Sequence, residues 1–195
     1  MDKLIYTLAV AVVVAVAVAV AVFANPFAKH VVAKDGNSYI IRNASSPEIE
    51  QETANILAEI NTRITKLLNC GQNQQETAFL NCLKRRWDAN IISEAATSSN
   101  LTTFTVNKKY IHVCTRSDNG FYDINLLVYV FLHELAHLCN YSDNGVPITG
   151  HGPEFTENFK FLVKKAVECG IYTIEDYNAS PREYCGMTID SQVHL

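Results

Sequence analysis

Apolar residues run along this chain in three rhythms. From Leu4 to Ala24 they form an unbroken, Ala/Val-rich stretch with no charge. As a helix that stretch rises roughly 31 Å, the thickness of a bilayer's hydrocarbon core, and it predicts one transmembrane helix. A secretory signal is the alternative, because Val22-Phe23-Ala24 has the small residues of a cleavage site. Residues 25–45 show little periodicity beyond a short strand at Ser38-Tyr-Ile-Ile41 and read as a juxtamembrane linker. Helical spacing then takes over. Ile49, Ile56, Leu57, Ile60, Ile64, Leu67 and Leu68 recur on one face. Ser45 or Ser46 caps that helix, Pro47 suits its first turn, Glu48 and Glu50 favour its positive end, and Gly71 stops it. A second helix over about 74–88 carries Phe79, Leu83 and Trp87 on one stripe.

Alternation appears next. Thr102–Val106 and Tyr110–Thr115 flank Asn107-Lys-Lys109, the pattern of a β-hairpin. Asp123 caps a strongly apolar helix of about 124–140. After a polar loop, Pro153 opens a last helix with Phe155, Phe159, Leu162, Val163, Ala166 and Val167 on its apolar face, and Gly170 ends it. Residues 171–195 read as an irregular tail. The elements predict an α+β domain over 46–195, a small β-sheet with helices packed on it, joined to the N-terminal helix, 1–24, by the linker, 25–45.

Length and charge narrow the function. The chain has 195 residues, 48% hydrophobic and 18% charged, which is one ordinary domain plus an attachment. A net charge of −4 counts against a dedicated nucleic-acid binder. Lys84-Arg85-Arg86 and Lys108-Lys109 read as solvated faces. Asp2 and Lys3 before the apolar run, against Lys29, Lys34 and Arg42 after it, lean slightly toward a cytoplasmic domain of a single-pass membrane protein. The six cysteines permit fifteen disulfide connectivities or free buried thiols, and no two have C-x-x-C spacing.

The chemistry concentrates at His133-Glu-Leu-Ala-His137. Residues four apart on a helix share a face, so both imidazoles reach one metal ion, and Glu134, rotated off that line, meets a water beside it. Burying two imidazoles and a carboxylate in so apolar a helix costs several kcal/mol unless a metal compensates. A catalytic zinc takes a third protein ligand and keeps a position open. His151, flanked by Gly150 and Gly152, is the leading candidate; Asp143 and Glu157 compete with it. His30, His112 and His194 read as non-ligands, and Tyr141 is the nearest candidate to stabilise an oxyanion.

Leu132-His-Glu-Leu-Ala-His-Leu138 followed by Gly150-His-Gly-Pro-Glu-Phe155 resembles the SprT-like and WLM zinc metallopeptidases. The Tyr110–Arg116 strand and the helix after His151 are similar as well, so the resemblance covers roughly residues 100–170. The tail, with Tyr172, Tyr177, Tyr184 and Cys185, is similar to proteins of this type from large DNA viruses. The resemblance implies a zincin-like fold, Zn2+ held by His133, His137 and His151, and Glu134 as the catalytic base. The expected function is membrane-anchored peptide-bond hydrolysis on a protein or peptide substrate. A DNA–protein-crosslink protease is one alternative, although nucleic acid is not the expected partner. The other is an inert zinc-binding membrane or virion component, which Cys139 would favour as a fourth ligand; its helical position, about 200° around from His137, turns it away.

Overall fold

The structure, a computed structural model, describes residues 28–71, 77–96, 102–142, 144–191 and 193. Its frame is a five-stranded mixed sheet. Strands β1 (Ala28–Val32) and β2 (Ser38–Arg42) form an antiparallel hairpin, with Val32 opposite Ser38. Strand β3 (Ile92–Glu94) runs parallel to β2 and to β5 (Tyr110–Val113), and β4 (Phe104–Val106) closes the far edge antiparallel to β5. The order is β1-β2-β3-β5-β4. Alternation sets the buried face: Tyr39 and Ile41 of β2, and Ile111 and Val113 of β5, point into the core.

The chain crosses from β2 to β3 through α1 (Pro47–Asn69) and α2 (Ala78–Arg86). Helix α1 starts where its first turn is best satisfied: Ser46 Oγ accepts from Ile49 N at 3.4 Å, and Pro47 follows. Its buried stripe, including Ala54, Leu57, Ile60, Ile64 and Leu67, packs on β1–β3 and on α3 (Ile124–Leu138). Asp123 caps α3 by accepting from Asn125 N and Leu126 N. Helix α3 is apolar on nearly every face because α1, α4 (Pro153–Glu168) and the β4–β5 edge cover it. Two small hairpins complete the fold, β6 (Arg116–Ser117) with β7 (Gly120–Phe121) and β8 (Arg182–Tyr184) with β9 (Met187–Ile189).

All six cysteines pair: Cys70–Cys169, Cys82–Cys139 and Cys114–Cys185. Cys70, Cys139 and Cys169 are the C-caps of α1, α3 and α4. The first crosslink therefore clips two helix ends together, and the second ties the end of α3 to α2. The third holds the C-terminal hairpin against the end of β5. A second tie at that end is ionic. Glu94, its side chain fully enclosed, accepts from Arg116 Nε at 2.8 Å, Thr115 Oγ1 at 3.0 Å and Arg42 N at 2.7 Å, and it ion-pairs with Arg42 Nε at 3.1 Å.

The fold is α+β, with the helices and hairpin in their expected places. The expectation that a membrane-spanning helix precedes the domain is corrected. Among the described residues no helix is long and apolar enough to cross a membrane. The most apolar, α3, has 15 residues and rises only about 22 Å; α1, with 23, carries charges along one face. The 4–24 segment lies outside the described residues. Residues 28–42, read as linker around one strand, instead supply two strands of the sheet, because β2 needs β1 and β3 as partners. Strand β3, and the β8–β9 hairpin in the tail, were not anticipated.

Candidate metal centre

Helix α3 presents His133 and His137 one turn apart, and the loop between α3 and α4 brings His151 back over them. Gly150 makes that return possible with φ of +80°, a conformation that strains any residue with a Cβ. Gly152 then caps α4 without a side-chain bond, and Pro153 opens the helix. His151 Nε2 lies 3.0 Å from His133 Nε2 and 3.1 Å from His137 Nε2. Ligand nitrogens on a tetrahedral zinc lie about 3.3 Å apart, given Zn–N bonds of about 2.0–2.1 Å. Hydrogen bonding alone does not account for the cluster. A neutral His151 offers at most one Nε2 proton, which serves only one of its two neighbours.

Electrostatics suit a cation. Burial, reinforced by His137 and His151, takes the His133 pKa down to about 3, and burial with His151 and Lys108 takes that of His137 to about 4. Both imidazoles are therefore neutral at pH 7, the state that ligates. Phe155 stacks on His137 at 4.3 Å and meets His133 and His151 edge-on at 4.7 Å. One ring thus fixes all three imidazoles and excludes water from one side.

Glu134 is buried beside them. Burial pushes its pKa up to about 7, against hydrogen bonds from Thr105 that pull it down. Thr105 Oγ1 lies 2.8 Å from Glu134 Oε2 and 3.0 Å from Glu134 O. The edge strand β4 therefore holds the carboxylate against the helix that carries it. A cleft of about 630 Å³ opens over the group, lined by the three histidines, Glu134, Thr105 and Tyr141 among others.

The remaining sequence candidates fall elsewhere. Glu157 is exposed on α4 and outside the histidine cluster, while Asp143 and His194 lie outside the described residues. His112 bonds Ser93 Oγ at 2.7 Å, and His30 lies 3.5 Å from Ser38 Oγ. Cys139 is tied to Cys82. Sequence reasoning missed Thr105, Arg86 and Lys108. Lys108 Nζ donates to His137 O at 2.7 Å, and Arg86 Nη1 reaches Lys108 O at 2.8 Å. The one signal for Thr105 was the hairpin that places it on an edge strand.

The fold and the histidine cluster define an α+β domain with a candidate three-histidine metal centre on a central helix. Similar chains occur in large DNA viruses. An uncharacterized protein, R325, of Acanthamoeba polyphaga mimivirus is 35% identical over 164 residues, covering 80% of this chain and 79% of that one. Uncharacterized protein 136R of Invertebrate iridescent virus 6 is 28% identical over 161 residues, 78% of this chain and 84% of that protein. A third, 042R of Invertebrate iridescent virus 3, is 33% identical over 102 residues, 51% of this chain and 59% of its own. The chain belongs to the family of the mimivirus protein R325. No protein-family model matches it, and no solved structure does.

Proposed function

We propose that the protein is a zinc metallopeptidase. The observation that carries this reading is the convergence of three imidazoles, with His133 and His137 Nε2 at 3.0 and 3.1 Å from His151 Nε2, beside a buried carboxylate from the helix that carries the first two. His133, His137 and His151 hold the metal. Zinc bound there supplies Lewis acidity to an attacking water and to the scissile carbonyl. Glu134 takes the proton from that water and passes it to the leaving amine. A pKa raised to about 7 suits a group that must accept and return a proton near neutrality. Thr105 fixes the carboxylate, and Tyr141 lines the same cleft. A purely structural zinc normally closes with four protein ligands. Cys139, the nearest candidate for the fourth, is consumed by its disulfide.

The test is zinc content and cleavage of unfolded protein substrates by the 195-residue chain, with His151→Ala and Glu134→Gln beside it. One zinc per chain, weakened by His151→Ala, with cleavage reduced roughly 10³-fold or more by Glu134→Gln at unchanged zinc content, is the expected result. Tight zinc without cleavage under any condition assigns the site a structural role, and no zinc overturns the reading.

A further inference from the structure

The catalytic cleft continues past the histidines into a second hollow of about 430 Å³, with Asn107, Lys108 and Tyr141 common to both. Two basic segments far apart in sequence meet there. Arg86 comes from the end of α2, and Lys108 from the β4–β5 turn. Their charges meet at one aromatic ring: Arg86 Cζ lies 4.9 Å and Lys108 Nζ 5.3 Å from the Tyr141 centroid. Lys109, also lining the hollow, sits over Tyr110. Among the described residues no carboxylate lies within ion-pair distance of Arg86, Lys108 or Lys109.

Helix capping accounts for part of this arrangement. Lys108 Nζ and Arg86 Nη1 donate to His137 O and Leu138 O, at 2.7 and 3.5 Å, at the negative end of α3. Those bonds use one ammonium proton and one guanidinium nitrogen. An ammonium carries three donors and a guanidinium five, so donors remain for a ligand. The turn itself supports such a role. Asn107 and Lys108 both have left-handed φ, 51° and 50°, a geometry for which glycine is favoured at the second position. Lysine there keeps a strained backbone and gains an ammonium in contact with the backbone of a metal-binding histidine.

The geometry points to a carboxylate-binding subsite: Arg86 and Lys108, both against the Tyr141 ring, receive a carboxylate of the substrate polypeptide next to the scissile bond. The carboxylate is either an Asp or Glu side chain or the free chain terminus. This rests on the peptidase reading of the neighbouring centre. A peptide group is favoured over nucleic-acid phosphates because the cations form one compact hollow joined to the cleft, not a track, on a chain of net charge −4.

The test uses zinc-loaded Glu134→Gln chain, so that peptides are bound without turnover. Fluorescent unstructured decapeptides carry a single Glu, Gln or Lys scanned through each position, with free or amidated C-termini. One Glu position binds about tenfold tighter than its Gln twin, and the preference fades with salt; Lys108→Glu reverses it toward Lys-containing peptides. A preference that follows the free terminus instead assigns the site to the chain end. Equal binding of all twins overturns the subsite while leaving cleavage by the wild-type chain to judge the peptidase. Preference in binding with no wild-type cleavage overturns the peptidase and keeps the subsite. A single-stranded oligonucleotide that displaces the Glu peptide and binds more tightly overturns the proposal in favour of phosphate.

Discussion

Glu94 and Glu134 are both enclosed in this domain, and their surroundings are opposite. Glu94 is surrounded by cations and donors, with Arg42, Arg116 and Thr115 all in contact. Glu134 has one hydroxyl, from Thr105, and three imidazoles, two of them held neutral by burial. At Glu94 the charge is matched on every side, so the group ties β2, β3 and the chain after β5 together and has no capacity left for chemistry. At Glu134 the match is deliberately incomplete. The cost of burial is carried by the fold, and a proton taken up by the carboxyl relieves it. A buried charge matched by cations reads as architecture, and one held by a single hydroxyl beside converging imidazoles reads as a candidate site.

The contrast can be broken from either side. Glu94→Ala leaves two guanidinium groups adjacent and uncompensated, and we expect a loss of roughly 3–5 kcal/mol of stability, read by urea unfolding. Zinc affinity per folded molecule should stay the same; unchanged stability would show that Glu94 is not the tie described. Glu134→Gln should do the reverse in the metal-free chain. The folded carboxyl titrates near pH 7 and the unfolded one near 4.5, so the folded state holds the extra proton between those values. Stability is therefore lost as pH rises through that window, on the order of 2–3 kcal/mol. Gln has no proton to lose. The variant should exceed wild type by that amount at pH 8 in chelator and match it near pH 4.5, and a pH-independent difference would refute the assignment.

His133 and His137 work in the opposite direction. Their folded pKa values lie below the ordinary 6.5, so the unfolded chain binds more protons, and stability falls as pH drops from about 6.5 toward 4. Bound zinc should protect against this loss until acid displaces it, which calorimetry with and without metal can follow. The smallest effect expected is at Thr105→Val. It keeps the β-branched shape of the edge strand and removes the hydroxyl. We expect about a tenfold fall in kcat with little change in KM and an acid limb shifted to higher pH. Thr105→Ser should restore both, and a rise in KM with kcat unchanged would assign Thr105 to substrate binding.

What could be read from the sequence was whatever is specified locally. The caps at Ser46 and Asp123 and the N1 proline Pro153 mark helix starts within a residue or two because helix starts involve only near neighbours. The Asn107–Lys108 turn likewise announces its hairpin. His133, Glu134 and His137 are legible because a single helical turn sets their relation. Strand β3 was not legible, since Ile92-Ser93-Glu94 is a strand only through parallel partners more than a dozen residues away. Nor was the meeting of Arg86 with Lys108, or of Thr105 with Glu134, for each depends on how β4 and α2 dock on α3. Basic residues that look solvated one segment at a time acquire a shared purpose only once the fold brings them together.

The three cystines also dictate an order of events during maturation. Each joins residues distant in sequence, 99, 57 and 71 apart, while every thiol has a closer non-native neighbour; Cys82 follows Cys70 by only twelve residues. In an unfolded chain, closing the Cys70–Cys82 loop is favoured over Cys70–Cys169 by about 2 kcal/mol of loop entropy. The native pairs also interleave, with Cys114 lying between the members of two other pairs and its partner Cys185 beyond both. None of these loops can be chosen correctly by proximity along the chain. The helix ends must dock first, and oxidation then records a fold already made, so an oxidant that acts before docking would trap the chain in the wrong cystines.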